Sequence, residues 1–96
     1  IDIEKVVFAY EPLYAIGAAQ AVTAHQVYER NVLIKKVLTD VYGKERAFKV
    51  KILYGGSVDA SNAADLIFNG NADGLLIGRT SIKPDEFSHL IKNISR

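Results

Sequence analysis

The sequence predicts an α/β fold built from three strand–helix units whose strands run parallel. Three short segments read as strands, namely Lys5 to Tyr10, Lys49 to Leu53 and Gly74 to Ile77, and each is followed by a loop and a segment with helical spacing. Strands that alternate with helices form parallel sheets joined by right-handed crossovers. We therefore expect the carboxyl ends of all three strands to share one edge of the sheet.

The first unit pairs a buried strand with a clearly marked helix. The apolar run Val6-Val7-Phe8 lies within the strand from Lys5 to Tyr10, which we expect to be covered on both faces. Thr23 followed three residues later by Gln26 is a capping-box pattern, and Gly43 is a natural residue for the helix to end at. The apolar stripe of this helix is expected to comprise Val27, Ile34, Val37, Leu38 and Val41.

The second and third units are shorter. The strand Lys49 to Leu53 ends at Tyr54-Gly55-Gly56, and a helix is expected from about Ser61 to Phe68. The third strand, Gly74 to Ile77, leads to a helix whose first turn contains Pro84, a favourable residue there. The core face of that last helix is expected to carry Phe87, Leu90, Ile91 and Ile94.

Composition excludes several classes of function. The 96 residues include 12 Lys and Arg against 11 Asp and Glu, so no single-sign field favours nucleic acid or acidic lipid. Cysteine is absent, and the two histidines, His25 and His89, form no metal-binding pattern. With no apolar run of membrane-spanning length and no signal-peptide pattern, we expect a cytoplasmic protein. The chain begins at Ile1 rather than at methionine, so we expect a fragment of a longer protein.

Glu11 is the first candidate for chemistry. It directly follows the first strand. Because Pro12 disfavours a helical conformation for the residue before it, Glu11 is expected to be extended at the carboxyl end of that strand. In parallel α/β barrels the active site lies at the carboxyl ends of the strands. A carboxylate there, beside a loop of small and apolar residues, is a candidate for a buried general base.

Two glycine-containing loops are candidates for a phosphate site at the same edge. Gly55-Gly56-Ser57 follows the second strand, and Gly78-Arg79-Thr80-Ser81 follows the third. Backbone amides after a strand, together with the start of a short helix, can hold a phosphate group. Alternatively the glycines simply permit tight turns, as single Gly-Gly-Ser segments usually do.

Three motifs together resemble the final strand ends of triosephosphate isomerases. They are Tyr10-Glu11-Pro12, Tyr54-Gly55-Gly56-Ser57-Val58 and Asp73-Gly74-Leu75-Leu76-Ile77-Gly78, in the family's order and spacing. The resemblance covers essentially the whole chain. It implies a partial TIM (β/α)8 barrel, in which residues 1–96 are the last three βα units of a single domain. A complete barrel needs about 250 residues, so this would be its C-terminal three-eighths.

The resemblance also implies a role for each site residue. Glu11 would be the base that moves a proton between adjacent carbons of a triose phosphate. The phosphate would be held by backbone amides of Gly17, Ser57, Gly78 and Arg79. A lid would begin at Pro12, the hydroxyls of Tyr54 and Ser57 would hold it closed, and Ile16 and Leu76 would press on the carboxylate. Exclusion of water by such an apolar clamp strengthens a carboxylate as a base. No cofactor or metal is implied, and the parent would be a homodimer.

This chain departs from the family pattern at Tyr14, where tryptophan is usual, and at Ala19 and Arg79, where glycines are usual. The family's electrophilic histidine, lysine and asparagine lie on earlier strands, so this chain alone is expected to be nearly inactive. Two alternatives stay open: a non-catalytic phosphate-binding module, and a structural fragment that assembles with another chain. Three parallel strands alone leave two unpaired edges, which favours a partner in every case.

Overall fold

A computed structural model describes residues 1–12 and 22–95 as three parallel strands with helices between them. The elements are a 3-10 helix Ile3–Lys5, β1 Val7–Tyr10, α1 Ala24–Tyr42, α2 Lys44–Ala47, β2 Lys51–Gly55, α3 Ala63–Phe68, β3 Gly74–Leu76, a 3-10 helix Arg79–Ile82 and α4 Pro84–Ile94. The strand order is β1-β2-β3, and both pairings are parallel. The predicted α/β class and the partial-barrel architecture are confirmed.

The first strand begins two residues later than the sequence predicts. The carboxylate of Asp2 accepts a hydrogen bond from the amide of Glu4 at 3.1 Å, and the amide of Lys5 donates to the Asp2 carbonyl at 3.0 Å. These bonds wind Ile3–Lys5 into a 3-10 turn, so Lys5 lies outside the strand. Likewise β2 begins at Lys51, because residues 44–50 form the short helix α2 and a turn that the sequence analysis did not predict.

Both predicted ends of α1 are confirmed. The side chain of Thr23 accepts from the amide of Gln26 at 3.2 Å, and the amide of Thr23 donates to the Gln26 side chain at 2.9 Å. This is the complete capping box. At the other end Gly43 has a φ of 90°, a conformation that side chains rarely adopt, and its amide donates to the carbonyl of Thr39.

The buried face of α1 differs from the predicted apolar stripe. Val27 and Leu38 are buried as expected, but Val37 is 55% exposed and Val41 is also exposed. At about 100° per residue the inward line runs through positions 27, 31, 34 and 38, and Val37 lies roughly a quarter-turn away. That line contains Asn31, which is only 6% exposed and donates to the carbonyl of Gly70 at 3.1 Å. A polar residue therefore joins α1 to the end of α3.

The described helices cover one face of the sheet, and no described element packs on the other face, which we call the open face. Phe8 and Tyr10 pair with Ile52 and Tyr54 and point toward the helices, where the core forms around Val27, Tyr54, Val58, Leu66 and Leu90. Alternation along a strand turns Val7 to the opposite face, where it is 57% exposed. The prediction that Val7 is buried is therefore wrong for this chain, because none of its described elements packs on that face.

We expect Asn31→Leu to destabilise the protein despite placing an apolar residue in an apolar neighbourhood. The substitution removes the donor to the buried Gly70 carbonyl, and an unsatisfied buried acceptor costs about 1–3 kcal/mol. The measurement is the free energy of unfolding in urea. Val37→Ala on the exposed side of α1 is the control and should change that free energy by no more than about 0.5 kcal/mol. Equal effects of the two substitutions would show that Asn31 makes no specific contribution.

Candidate functional site

The carboxyl ends of the three strands bring the predicted site residues to one edge of the sheet. The strands end at Tyr10, Gly55 and Leu76, with Tyr10 paired to Tyr54 and Gly55 paired to Leu76. Because the strands are parallel, the segments that follow them leave from the same edge. Those segments carry Glu11, Ser57, and Gly78 with Arg79.

Glu11, Gly55 and Leu76 form a row across this edge on the open face of the sheet. A Cβ atom placed on Gly55 would lie 3.7 Å from the Cβ of Glu11 and 3.4 Å from both the Cβ and Cδ1 of Leu76. Because Gly55 has no side chain, it leaves space between Glu11 and Leu76. Leu76 and Glu11 thus lie on either side of Gly55.

Glu11 is exposed, so the expectation of a buried base is wrong for this chain. The row lies on the face that no described helix covers, and Leu76 beside it is itself 45% exposed. Water therefore reaches the carboxylate. The second apolar neighbour that the family resemblance implies, Ile16, lies outside the described residues.

A hydrogen-bonded turn fixes the loop that follows β2. The side chain of Asn62 donates to the carbonyl of Ser57 at 2.8 Å and accepts from the amide of Asp59 at 2.9 Å. The carboxylate of Asp59 accepts from the hydroxyl and amide of Ser61 at 2.5 and 2.8 Å. The Ser61 hydroxyl bond is the main cause that lowers the pKa of Asp59 below its usual value of 3.8, and backbone amides add to it. Ser57 itself stays exposed at the top of this turn.

The loop after β3 is tied to the loop after β2 by a buried hydroxyl. Thr80 is 7% exposed, and its Oγ1 donates to the carbonyl of Val58 at 3.0 Å. Gly78 and Arg79 just before it are exposed, and a Cβ on Gly78 would meet nothing within 4 Å. Among the described residues, no atom therefore fills the space beside the backbone of Gly78.

Tyr54 lies on the helix side of the sheet, where it is buried. Its ring centroid is 6.5 Å from that of Tyr10, and it packs in the same cluster as Val22, the first described residue after position 21. Its phenol ring lies so close to Gly56 that a Cβ there would come within 2.9 Å of the Tyr54 Cζ. A glycine is needed at position 56 for this close approach.

The remaining predicted residues of the lid lie outside the described part of the chain. Tyr14, Ile16, Gly17 and Ala19 all belong to residues 13–21. Pro12, where the lid is predicted to begin, is described and is buried.

The sequence analysis missed Asn62 and Thr80 as residues that shape the edge. Asp59 and Asn62 carry a recognisable signal, since Asp and Asn side chains that bond nearby backbone groups are common just before helices. Thr80 has no such signal, because its partner is 22 residues away in sequence.

A cavity of about 540 Å³ lies at the opposite end of the sheet, between α1 and the residues that precede β2 and β3. Two of its charged side chains bond the backbone. Lys35 donates to the carbonyls of Ala47 and Val50 at 2.8 and 2.6 Å, and Asp73 accepts from the amide of Ile52 at 2.8 Å. Burial lowers the pKa of Lys35, although Asp73 opposes the shift. None of the predicted site residues that the structure describes lines this cavity.

Comparison with known proteins gives a consistent result over the whole chain. The family model described as triosephosphate isomerase matches residues 1–94. A protein named triosephosphate isomerase from Pelodictyon phaeoclathratiforme is 43% identical over 99% of this chain and 38% of its own length. One of the same name from Saccharopolyspora erythraea is 46% identical over 93% of this chain and 34% of its own length. The chain thus spans little more than a third of these relatives.

None of the helices in residues 1–12 and 22–95 has the length and apolar character needed to cross a bilayer.

We expect Ser61→Ala to raise the pKa of Asp59 toward 3.8, since it removes the hydroxyl donor to the carboxylate. A lowered native pKa contributes stability that is present above 3.8 and is lost as pH falls through the native value. The stability difference between wild type and variant should therefore be largest above that window and shrink below it. The carboxyl chemical shift of Asp59 measures the titration directly.

Ser88→Ala, at an exposed serine on α4, is the matched control and should leave the titration of Asp59 unchanged. An unchanged Asp59 titration in Ser61→Ala would contradict the assigned cause.

Proposed function

This chain belongs to the triosephosphate isomerase family, and on that premise we propose that it is the C-terminal part of a triose-phosphate isomerase. The full-length protein would interconvert dihydroxyacetone phosphate and glyceraldehyde 3-phosphate, in glycolysis and gluconeogenesis. The observation that carries the proposal is the row Glu11, Gly55 and Leu76, which lies at the same sheet edge as two exposed loops suited to a phosphate group. On this proposal residues 1–96 belong to one barrel domain with no internal boundary.

In the proposed reaction Glu11 acts as the base. Its carboxylate takes a proton from the carbon next to the carbonyl of the triose phosphate, and the electron pair of the broken C–H bond forms the enediolate. The protonated Glu11 then returns the proton to the neighbouring carbon, and the electron pair closes the new C–H bond. The hydroxyl proton must also pass from one enediolate oxygen to the other, so that the carbonyl forms at the carbon that lost its proton. Two protons thus move, and the composition of the substrate is unchanged.

The phosphate group of the substrate would be held by backbone amides of Ser57, Gly78 and Arg79. Ser57 and Arg79 are exposed on their loops, and Gly78 borders open space, so a ligand can approach this backbone. Amide donors aimed at a phosphate supply binding energy at a point remote from the reacting carbons. Gly17 would add a further amide from the lid, and the side chain of Arg79 would either point away or add a positive charge.

The lid would begin at Pro12 and close over the site, with Ile16 and Leu76 on either side of Glu11 and Tyr54 as part of the latch. The burial of Tyr54 in the same apolar cluster as Val22 supports this role, because Val22 is the residue where the described chain resumes. Closure would remove water from a carboxylate that is exposed in this structure. That exclusion strengthens electrostatic interactions within the site.

The chain needs further groups for catalysis. A stabilised enediolate oxygen requires an electrophile, and electrostatic stabilisation is usually the largest contribution to catalysis. Both histidines of this chain are exposed on helices, and His25 is paired with Glu29 at 2.6 Å. We therefore propose that the histidine, lysine and asparagine of the site come from the rest of the barrel. The full-length protein would be a cytoplasmic homodimer.

In the full-length protein we expect Glu11→Asp to lower kcat/KM by about 100-fold, since shortening the side chain displaces the carboxylate by roughly 1 Å. Glu11→Gln, which cannot accept the proton, should lose more. Steady-state kinetics in both reaction directions provide the measurement. Glu45→Asp, an exposed substitution of the same kind on α2, is the control and should retain the wild-type rate.

A near wild-type rate in Glu11→Gln would remove Glu11 from the role of base. A different outcome would be a wild-type protein that binds inorganic phosphate but has no isomerase activity. A non-catalytic phosphate-binding module would then be the better description.

We expect the isolated 96-residue chain not to be a stable monomer. Val7 and Leu76 are 57% and 45% exposed on the open face, and β1 and β3 end the sheet with unpaired edges among the described residues. Such faces and edges favour association. Sedimentation and thermal unfolding of the purified chain test this expectation. A compact monomer that unfolds in one sharp transition at micromolar concentration would contradict it.

A further inference from the structure

We propose that Thr80 is a positioning residue that sets the distance between the two loops holding the phosphate group. This inference rests on the proposed phosphate site and adds a residue whose role is not binding itself. It concerns the hydrogen bond from the Thr80 hydroxyl to the Val58 carbonyl, which joins the loop after β2 to the loop after β3.

The Thr80–Val58 bond lies directly behind the backbone that would face the ligand. Val58 directly follows Ser57, and Thr80 directly follows Arg79. Ser57 and Arg79 are exposed, whereas Val58 and Thr80 are both buried. The bond thus lies one residue behind the two residues whose amides would contact the phosphate, and it is shielded from water.

Each loop has its own internal bonds, which fix its shape but not its distance from the other. Asn62 donates to the carbonyl of Ser57 at 2.8 Å within the first loop. Within the second, the hydroxyl and amide of Ser81 both donate to the carbonyl of Gly78, at 2.6 and 3.0 Å. These bonds span five residues or fewer, whereas the Thr80 bond spans 22. Thr80 therefore supplies a constraint that the local bonds cannot.

Spacing matters because amide donors stabilise an anion only over a narrow range of distances, about 2.7–3.1 Å. If the two loops separate, the amides of one loop can keep contact with the phosphate only at the expense of the other. The phosphate group of the substrate lies away from the reacting carbons. The loss of amide contacts to that group should therefore appear mainly as weaker substrate binding. A substitution that removes binding shared by ground and transition states raises KM more than it lowers kcat.

The test uses the full-length protein and inorganic phosphate as a competitive inhibitor. Thr80→Val keeps the shape of the side chain but removes the donor, and should weaken phosphate inhibition and raise KM by about fivefold, the value expected from one neutral hydrogen bond. Thr80→Ser keeps the hydroxyl and should restore binding. If Thr80→Val does not fold, Thr80→Ala carries the same expectation with less steric demand.

Asn93→Ala is the matched control. It removes another hydrogen bond of 3.0 Å that ends on the same loop, from the Asn93 side chain on α4 to the carbonyl of Ala60, but away from Ser57 and Arg79. It should leave phosphate inhibition unchanged even if it lowers the melting temperature. A structural role alone would move the melting temperature of Thr80→Val without moving its inhibition constant.

The outcomes separate this inference from the proposed function. An active wild type whose inhibition by phosphate is unaltered in Thr80→Val overturns the role of Thr80 and leaves the isomerase proposal standing. Equal weakening in Thr80→Val and Asn93→Ala also overturns it, since any loss of stability would then suffice. A wild type with neither isomerase activity nor phosphate inhibition overturns both proposals.

Discussion

The parallel register of the three strands is the constraint on which the rest of this structure depends. Pairing of Tyr10 with Tyr54 and of Gly55 with Leu76 sets the ends of all three strands at one edge. Because successive side chains alternate between faces, a shift of one residue in β1 would turn Glu11 from the open face to the helix side. The row of Glu11, Gly55 and Leu76 therefore exists only in this register. The core on the helix side, built on Ile52 and Tyr54 of β2, favours the same register.

Hydrogen bonds beyond regular secondary structure stabilise the two ends of the sheet in different ways. At the carboxyl edge, short-range bonds shape each loop and the Thr80 hydroxyl connects them. At the amino edge, the ammonium group of Lys35 reaches the carbonyls of Ala47 and Val50. Burial there lowers the pKa of Lys35, because removing the charged ammonium group from water costs desolvation free energy. The amino edge connects α1 to the turn before β2, while the described loops at the carboxyl edge carry the exposed residues Ser57, Gly78 and Arg79.

The exposure of Glu11 follows from the same architecture. Its row faces away from the helices, on the side that would line the interior of a complete barrel. In this chain that face is uncovered, so Val7 and Leu76 meet water as well as Glu11. The proposed activity consequently needs both the lid and the remaining strands. Both would exclude water, and the remaining strands would also supply the electrophile.

The sequence by itself determined the features that depend on local interactions or on a repeating pattern. The three βα units, the capping box of Thr23 and Gln26, the end of α1 at Gly43 and the start of α4 at Pro84 were all predicted correctly. The three short motifs also identified the family. Each of these depends on residues within a few positions of one another, where backbone preferences dominate.

Only the tertiary structure decided which residues are buried and which loops are joined. It placed Asn31 rather than Val37 on the inward face of α1, where Asn31 donates to the Gly70 carbonyl. It left Glu11 exposed on the face that no described helix covers. The contact of Thr80 with Val58 joins positions 22 residues apart, and no local pattern specifies such a contact. Burial and long-range hydrogen bonds depend on how elements pack together, which is why the sequence pattern alone could not predict them.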